Sequence, residues 1–308
     1  MVNWNQLIMT KKLETIVFFG SGPVAAQALE KLYLNFNIEA VITKPQPSHH
    51  IYEMPVLEVT KRLSLKTFTP SNKVELSELF SKKPIKSTLG VVLDYGIIIP
   101  KDVIDYFPLG IVNSHFSLLP KLRGADPISF AILNGENNTG VSLMLIDEKM
   151  DEGPLIAQEK YPLNNSITTP LLIKDLINLS DKMLKQYLPL YFEGKIKLKV
   201  QIGEPTYSRK LTKEDSVLDF NKTAEVLCRE VRAYLEWPRS RTQIKGINII
   251  ITKSHEIIGT GKIGNIYIKD KTLGIYTSKN IFMIDNLIPN GKKEMSVEAF
   301  LAGYKIIN

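Results

Sequence analysis

The 308-residue chain is 44% hydrophobic and 23% charged, with a mean hydropathy of -0.03, an ordinary globular balance long enough for two domains. No run approaches the roughly 20 apolar residues of a membrane helix, and MVNWNQLIMTKK at the start holds too short an apolar stretch for a signal peptide; a cytoplasmic protein with no membrane partner is expected. The single cysteine, Cys228, excludes an internal disulfide and a cysteine-rich metal site. The net charge of +7 is uneven, with 17 basic against 12 acidic residues from 201 to 308, a surplus that points to a polyanionic partner.

In chain order, ETIVFFGSGPVAAQALEKLYL predicts a buried strand, a Gly-rich turn and a helix with Val24, Ala28 and Leu32 on its apolar face. NIEAVITK is a second strand and VELSELFSKK a helix. STLGVVLDYG is a third strand, KDVIDYF a helix and GIVNSHFS a fourth strand. DPISFAILNG follows as a helix stopped by Gly135. Continuously apolar strands alternating with helices predict a Rossmann-like parallel sheet covered on both faces, whose ligands bind beyond the carboxyl ends of the strands. TGVSLMLIDEKMDEGPLIAQEKYPL reads as two strands joined by a loop, and TPLLIKDLINLSDKMLKQYLPLYFEGK as a long helix.

Beyond it the pattern changes. IKLKVQIGEPTYSRKLTKED is polar and extended, a linker or domain crossing. NKTAEVLCREVRAYL is a helix in which Cys228 reads as a packing residue. The short strands of RTQIKGINIIITKSHEI, GNIYIKD, LGIYTSKN and IFMIDNLIP, punctuated by Gly and Asn, predict a small OB-like β-barrel. The predicted division is a catalytic domain over 1–190, a linker over 191–207 and a barrel domain over 208–308.

Two motifs bear on chemistry. The Gly20-Ser21-Gly22 turn, with Ala25 in the third glycine position and Glu39 near the distance of an acidic ribose ligand, reads either as a dinucleotide fingerprint or as a tight strand-to-helix turn. Asn113 and His115 lie where a strand runs out into the ligand crevice, and Asp151 precedes a Gly-Pro turn that can hold a carboxylate rigidly. Amide, imidazole and carboxylate together make an oxyanion and proton-transfer kit, with no Ser or Cys placed to attack. From spacing alone, His115 is equally a satisfied structural histidine.

VVLDYGIIIPKDVIDYFPLGIVNSHFSLLPKLRGADPI, followed by TGVSLMLIDEKMDEGPLI, resembles the formyltransferases that use 10-formyltetrahydrofolate: an Asn-x-His strand end, Ser-Leu-Leu-Pro, Arg-Gly and a distant Met-Asp-x-Gly. The resemblance implies catalytic roles for Asn113, His115 and Asp151. It implies a folate site from Ser117, Leu118, Leu119 and Pro120 with the backbone of Tyr95, Gly96, Ile97, Ile98, Ile146, Asp147, Glu148 and Lys149. It favours the plain tight turn at Gly20, and implies no metal. TYSRKLTKEDSVLDF, VRAYLEWPRSRTQIKG and NLIPNGKKEMSVEAFLAG look like the C-terminal domain of the methionyl-tRNA formyltransferases.

That likeness implies formyl transfer to the amine of initiator methionyl-tRNA through a tetrahedral intermediate, by a monomer. Lys44, Arg123, Arg209, Lys210, Lys213, Lys292 and Lys293 are then the expected substrate contacts, with a salt bridge the equal alternative for Arg123. The alternative is a sugar-nucleotide N-formyltransferase with the same donor. Three features depart from the family pattern. ITKPQPSHHIYEMPVLEV is shorter than the usual basic loop and carries Lys44 and the His49-His50 pair, while Asp126 and Glu152 stand where Ala and Thr are usual.

Overall fold

The first strand, β1 (Leu13–Phe19), carries Ile16, Val17, Phe18 and Phe19, all with no exposed surface, as a strand buried on both faces requires. It opens a computed structural model that describes residues 13–47, 52–82 and 85–304. Then come α1 (Pro23–Asn35), β2 (Phe36–Ile42), α2 (Pro55–Arg62), β3 (Thr67–Phe68), α3 (Lys73–Ser81), β4 (Gly90–Val92), α4 (Lys101–Asp105) and β5 (Ile111–His115). Next are β6 (Arg123–Gly124), α5 (Pro127–Leu133), β7 (Asn138–Leu145), β8 (Leu155–Pro162), α6 (Thr169–Phe192) and β9 (Tyr207–Ser208). Seven strands form one sheet in the order β3-β2-β1-β4-β5-β7-β8.

The pairs β1–β2, β1–β4, β2–β3 and β4–β5 are parallel. β7 runs antiparallel to β5, with His115 opposite Ser142. A strand buried on both faces reads as a plain apolar run, so its direction is not visible in its pattern. The first turn of α1 starts at Pro23, whose fixed φ suits that position. Its buried face is Ala25, Ala26, Ala28, Leu29 and Leu32; Val24, expected on that face, is half-exposed. The short helix α2, which the Pro- and His-rich sequence around it disguises as loop, buries Val56, Val59 and Thr60.

The chain divides into two compact units. One runs up to Arg123 and includes Gly140–Tyr161 and Asp175–Thr206; the other comprises Gly124–Thr139, Pro162–Lys174 and the chain from Tyr207 onward. In the first, Phe19, Phe80, Tyr95 and Phe107 pack in an aromatic cluster under the C-terminal edge of the sheet. In the second, α7 (Ala224–Ala233) precedes β10 (Arg241–Ile244), β11 (Ile247–Ile257), β12 (Ile266–Lys269), β13 (Thr272–Tyr276), β14 (Ile281–Pro289), β15 (Met295–Ser296) and α8 (Val297–Gly303).

Its antiparallel sheet runs β10-β11-β14-β13-β12, with β15 on β14, a curled half-barrel of OB-like kind. The stretch read as one strand from Arg241 breaks into β10 and β11 at Lys245 and Gly246, both with positive φ, the signature of a tight hairpin turn. Leu227, Cys228 and Val231 of α7 pack with Ile249, Ile251, Phe282, Ile284 and Phe300 in one core. Burial pushes the Cys228 thiol up to about 11, so it stays protonated and inert. Among the described residues no helix is long and apolar enough to cross a membrane.

Candidate active site

Side chains alternate along a strand, so Asn113 and His115 share one face of β5 while Ser114 points to the other, where its hydroxyl meets that of Ser180 at 2.7 Å. His115 is buried. Its Nε2 donates to the Leu122 carbonyl at 2.9 Å; Leu122 takes φ +56. A carbonyl can only accept, so the hydrogen sits on Nε2 and Nδ1 is the nitrogen left for chemistry. Nδ1 lies 3.7 Å from Asp151 Oδ2, and Asn113 Nδ2 lies 3.4 Å from Asp151 Oδ1. The amide, the ring and the distant carboxylate meet.

Asp151 sits in a turn built against its own preference. It adopts φ +55, a left-handed conformation costing a non-glycine residue about 1–2 kcal/mol. Two residues on, a β-carbon at Gly153 would stand 1.8 Å from the Leu145 carbonyl oxygen, so only glycine fits. The Gln201 carboxamide donates to the carbonyls of Asp151 (2.7 Å) and Gly153 (3.0 Å). Its oxygen accepts from Arg123 Nη2 at 2.8 Å and Nε at 3.3 Å. Arg123 Nη1 in turn lies 3.0 Å from Glu152 Oε1. The buried guanidinium is committed to holding this turn, and Glu152 is part of the same assembly.

The Ser-Leu-Leu-Pro turn is held from behind. Ser142, opposite His115 and fully buried, donates to the Ser117 carbonyl at 2.6 Å and accepts from Leu119 N at 3.1 Å. Gln158 Nε2 donates to Ser142 Oγ and the Leu119 carbonyl. The Ser117 hydroxyl is spent on the Lys121 carbonyl at 2.5 Å. Ser117, Leu119 and Pro120 are buried, and of the four only Leu118 is half-exposed.

Of the other expected folate segments, Ile97 and Ile146 each pack against the core that holds Tyr95, and Ile146 also packs against the cluster of Leu119, Met144 and Leu155. Ile98, Asp147, Glu148 and Lys149 are exposed. Lys44 Nζ lies over Gly96, 2.8 Å from where a β-carbon there would stand. The Gly20-Ser21-Gly22 turn is occupied by the chain itself. Ser21 and Gly22 donate to the Asp94 carbonyl, and Asp94 Oδ2 would lie 1.9 Å from a β-carbon on Gly22. The Asp94 carboxylate thus lies beside the helix start where a dinucleotide would bring its pyrophosphate, which favours the plain turn.

In the second unit, Lys210, Lys213, Lys292 and Lys293 are exposed. Arg209 is held in a bidentate pair by Asp215, at 2.7 and 2.5 Å, over the Phe130 ring. The Arg209 hydrogen bond lowers the Asp215 carboxyl to about 2. Asp126, at the start of α5, has its carboxyl raised by burial against the pull of Ser129. His49 and His50 lie outside the described residues. Among the described residues no three His, Cys, Asp or Glu side chains cluster as a metal site.

Residues 14–187 match the formyl transferase family model, and residues 210–305 match the model of the formyl transferase C-terminal domain. The chain belongs to the formyl transferase family. Asn113, His115 and Asp151 all fall inside the first of these matches. Among curated formyl transferases, the methionyl-tRNA formyltransferase of Dictyoglomus thermophilum is 31% identical over 94% of this chain and 97% of its own. That of Fusobacterium nucleatum is 31% identical over 91% and 94%. Among solved structures, the N-formyltransferase from Helicobacter canadensis, crystallised with folinic acid and dTDP-3-aminofucose, superposes with a TM-score of 0.66 at 19% identity, covering 89% of this chain and 98% of that one. That likeness is one of fold.

Three contributors escaped the sequence reading: the Leu122 carbonyl, Ser142 and Gln201. Any residue offers a carbonyl, so the first leaves no signal. Ser142 stands alone in an apolar strand, TGVSLMLI, and is readable as a polar group with a buried partner. Gln201 lies in a stretch that reads as linker, yet Ile196, Leu198, Val200 and Ile202 alternate with polar residues along it, a period-2 hint of a paired, extended segment. Lys199 indeed bonds Leu155 in both directions.

Proposed function

We propose that this chain transfers the formyl group of 10-formyltetrahydrofolate to the free amine of methionyl-tRNA, with initiator tRNA as its acceptor in the cytoplasm. Formyl-donor chemistry is assigned to 1–190 and tRNA contact to 208–308, joined by 191–207. One observation carries the reading: Asn113, His115 and Asp151 meet, although the carboxylate comes from a separate turn. The curated relatives that span 94% of this chain carry the methionyl-tRNA formyltransferase name, which favours tRNA over an amino-sugar nucleotide as acceptor.

The residues present fit a reduced folate. Ile97, Ile146, Leu119 and Met144 supply an apolar floor, and the backbone of 95–98 and 146–149 supplies hydrogen-bonding edges for a flat heterocycle. When bound, the donor supplies an activated formyl carbon. The Asn113 amide donates to the formyl oxygen as it gains negative charge. His115, protonated at Nδ1, donates as well. The Leu122 carbonyl, rather than Asp151, fixes the ring's orientation. Asp151 is therefore left to take the proton from the attacking amine and return it, through water, to the departing nitrogen. A neutral amine is required, so turnover falls at low pH.

Asp151→Asn keeps the shape and removes the base. Turnover with charged initiator tRNA is expected to fall by at least about 100-fold, while binding of a folate analogue and the far-ultraviolet spectrum are retained. Near-normal turnover would eliminate this proton route. Offering an amino-sugar nucleotide with the same donor tests the other acceptor.

A further inference from the structure

We propose that Gln201 is a positioning residue for formyl transfer, acting by holding Asp151 in register with His115. The inference rests on the catalytic reading of Asp151 given above. The turn needs bracing: Asp151 takes a left-handed backbone, φ +55, and Gly153, two residues on, has no side chain to anchor it. One carboxamide spans the turn, donating at 2.7 Å to the carbonyl of Asp151 and at 3.0 Å to that of Gly153. The same side chain is oriented from behind, because its oxygen accepts two hydrogens from Arg123 and Arg123 pairs with Glu152 across the turn. A closed ring results: Gln201 to the turn's backbone, the turn's Glu152 to Arg123, and Arg123 back to Gln201.

Arg123 follows Leu122, whose carbonyl orients the ring of His115, so the segment that sets the imidazole also braces the amide that sets the carboxylate. Lys199, two residues before Gln201, is pinned in both directions to Leu155, the first residue of β8. That pairing gives the amide a fixed base from which to reach. The chemistry tolerates little drift, since a misplacement of about 1 Å in a reacting group can cost on the order of 100-fold in rate.

Gln201→Glu separates positioning from packing. The substituted side chain keeps its size and its acceptor for Arg123, but turns an oxygen instead of an N–H toward two carbonyls. For Gln201→Glu and for Gln201→Ala, kcat with 10-formyltetrahydrofolate and methionyl-tRNA is expected to fall by about 10- to 100-fold, with both KM values within about threefold and the fold retained by circular dichroism. The titration of the His115 ring, followed by NMR, is expected to move in Gln201→Glu toward that of Asp151→Asn. In Asp151→Asn, adding Gln201→Glu is expected to lower residual turnover no further, as two residues acting through one group require. Unchanged kcat in both variants overturns the inference, and so does a loss of kcat that leaves the His115 titration unmoved and adds fully to that of Asp151→Asn. If the unsubstituted protein does not formylate methionyl-tRNA, the function is misread, while the His115 titration still tests the clamp.

Discussion

A single hydrogen decides what His115 can do. With Nε2 donating to Leu122, a neutral ring presents a lone pair at Nδ1, and a second proton makes that nitrogen a donor beside Asp151. The ring holds this orientation only if the Ser-Leu-Leu-Pro turn that leads to Leu122 is itself fixed, and Ser142 does the fixing. Ser142→Ala would strand the buried Ser117 carbonyl and Leu119 N–H. A loss of about 1–3 kcal/mol in urea denaturation is expected, with kcat lowered more than KM. The sequence exposes the candidate residues, because an amide and an imidazole two apart at a strand end, with a distant Met-Asp-x-Gly, form a recognisable motif. It hides the residues that aim them, because their part is played by main-chain carbonyls and by polar side chains whose partners lie far along the chain.

Among the elements, the 3-10 turn at Lys213–Ser216 offers a clean electrostatic test. Thr212 N and the Nη1 and Nη2 of Arg209 donate to Asp215, and the carboxyl is lowered to about 2 from an ordinary 3.8. A lowered carboxyl stabilises the fold above its unfolded value, near 4, and that stabilisation disappears as the pH falls from there toward 2. Asp215→Asn is expected to cost roughly 1 kcal/mol at pH 7, discounted because Arg209 is largely exposed. The two proteins should converge in stability as chemical unfolding is repeated from pH 5 down to pH 2. Elements of strong period were legible: α6, α7 and the apolar strands stand where their patterns predict. The helix α2 and the direction of β7 were not, since eight residues carry too few turns of periodicity and burial on both faces erases direction.

At the scale of the whole molecule, the surplus of positive charge toward the C-terminus is the property with a measurable consequence. Lys292 and Lys293 stand exposed beside the turn between β14 and β15, and neither has a carboxylate partner among the described ion pairs. Reversing both charges is expected to weaken tRNA binding and to lower the slope of log affinity against log salt by about 2, one for each phosphate no longer neutralised. Unchanged affinity and slope would put the tRNA surface elsewhere. Arg209 is a poorer candidate for the same role because Asp215 already holds it. By itself the sequence determined the two kinds of architecture, since apolar periodicity is a local property of a chain, and its motifs supplied the resemblance that named the class of chemistry and the candidate residues. Only the tertiary structure decided which nitrogen of His115 faces Asp151, that Asp94 packs against the glycine turn, and that a glutamine in an apparent linker braces the Asp151 turn. Those facts depend on which donor meets which acceptor across a fold, and no local pattern encodes that pairing.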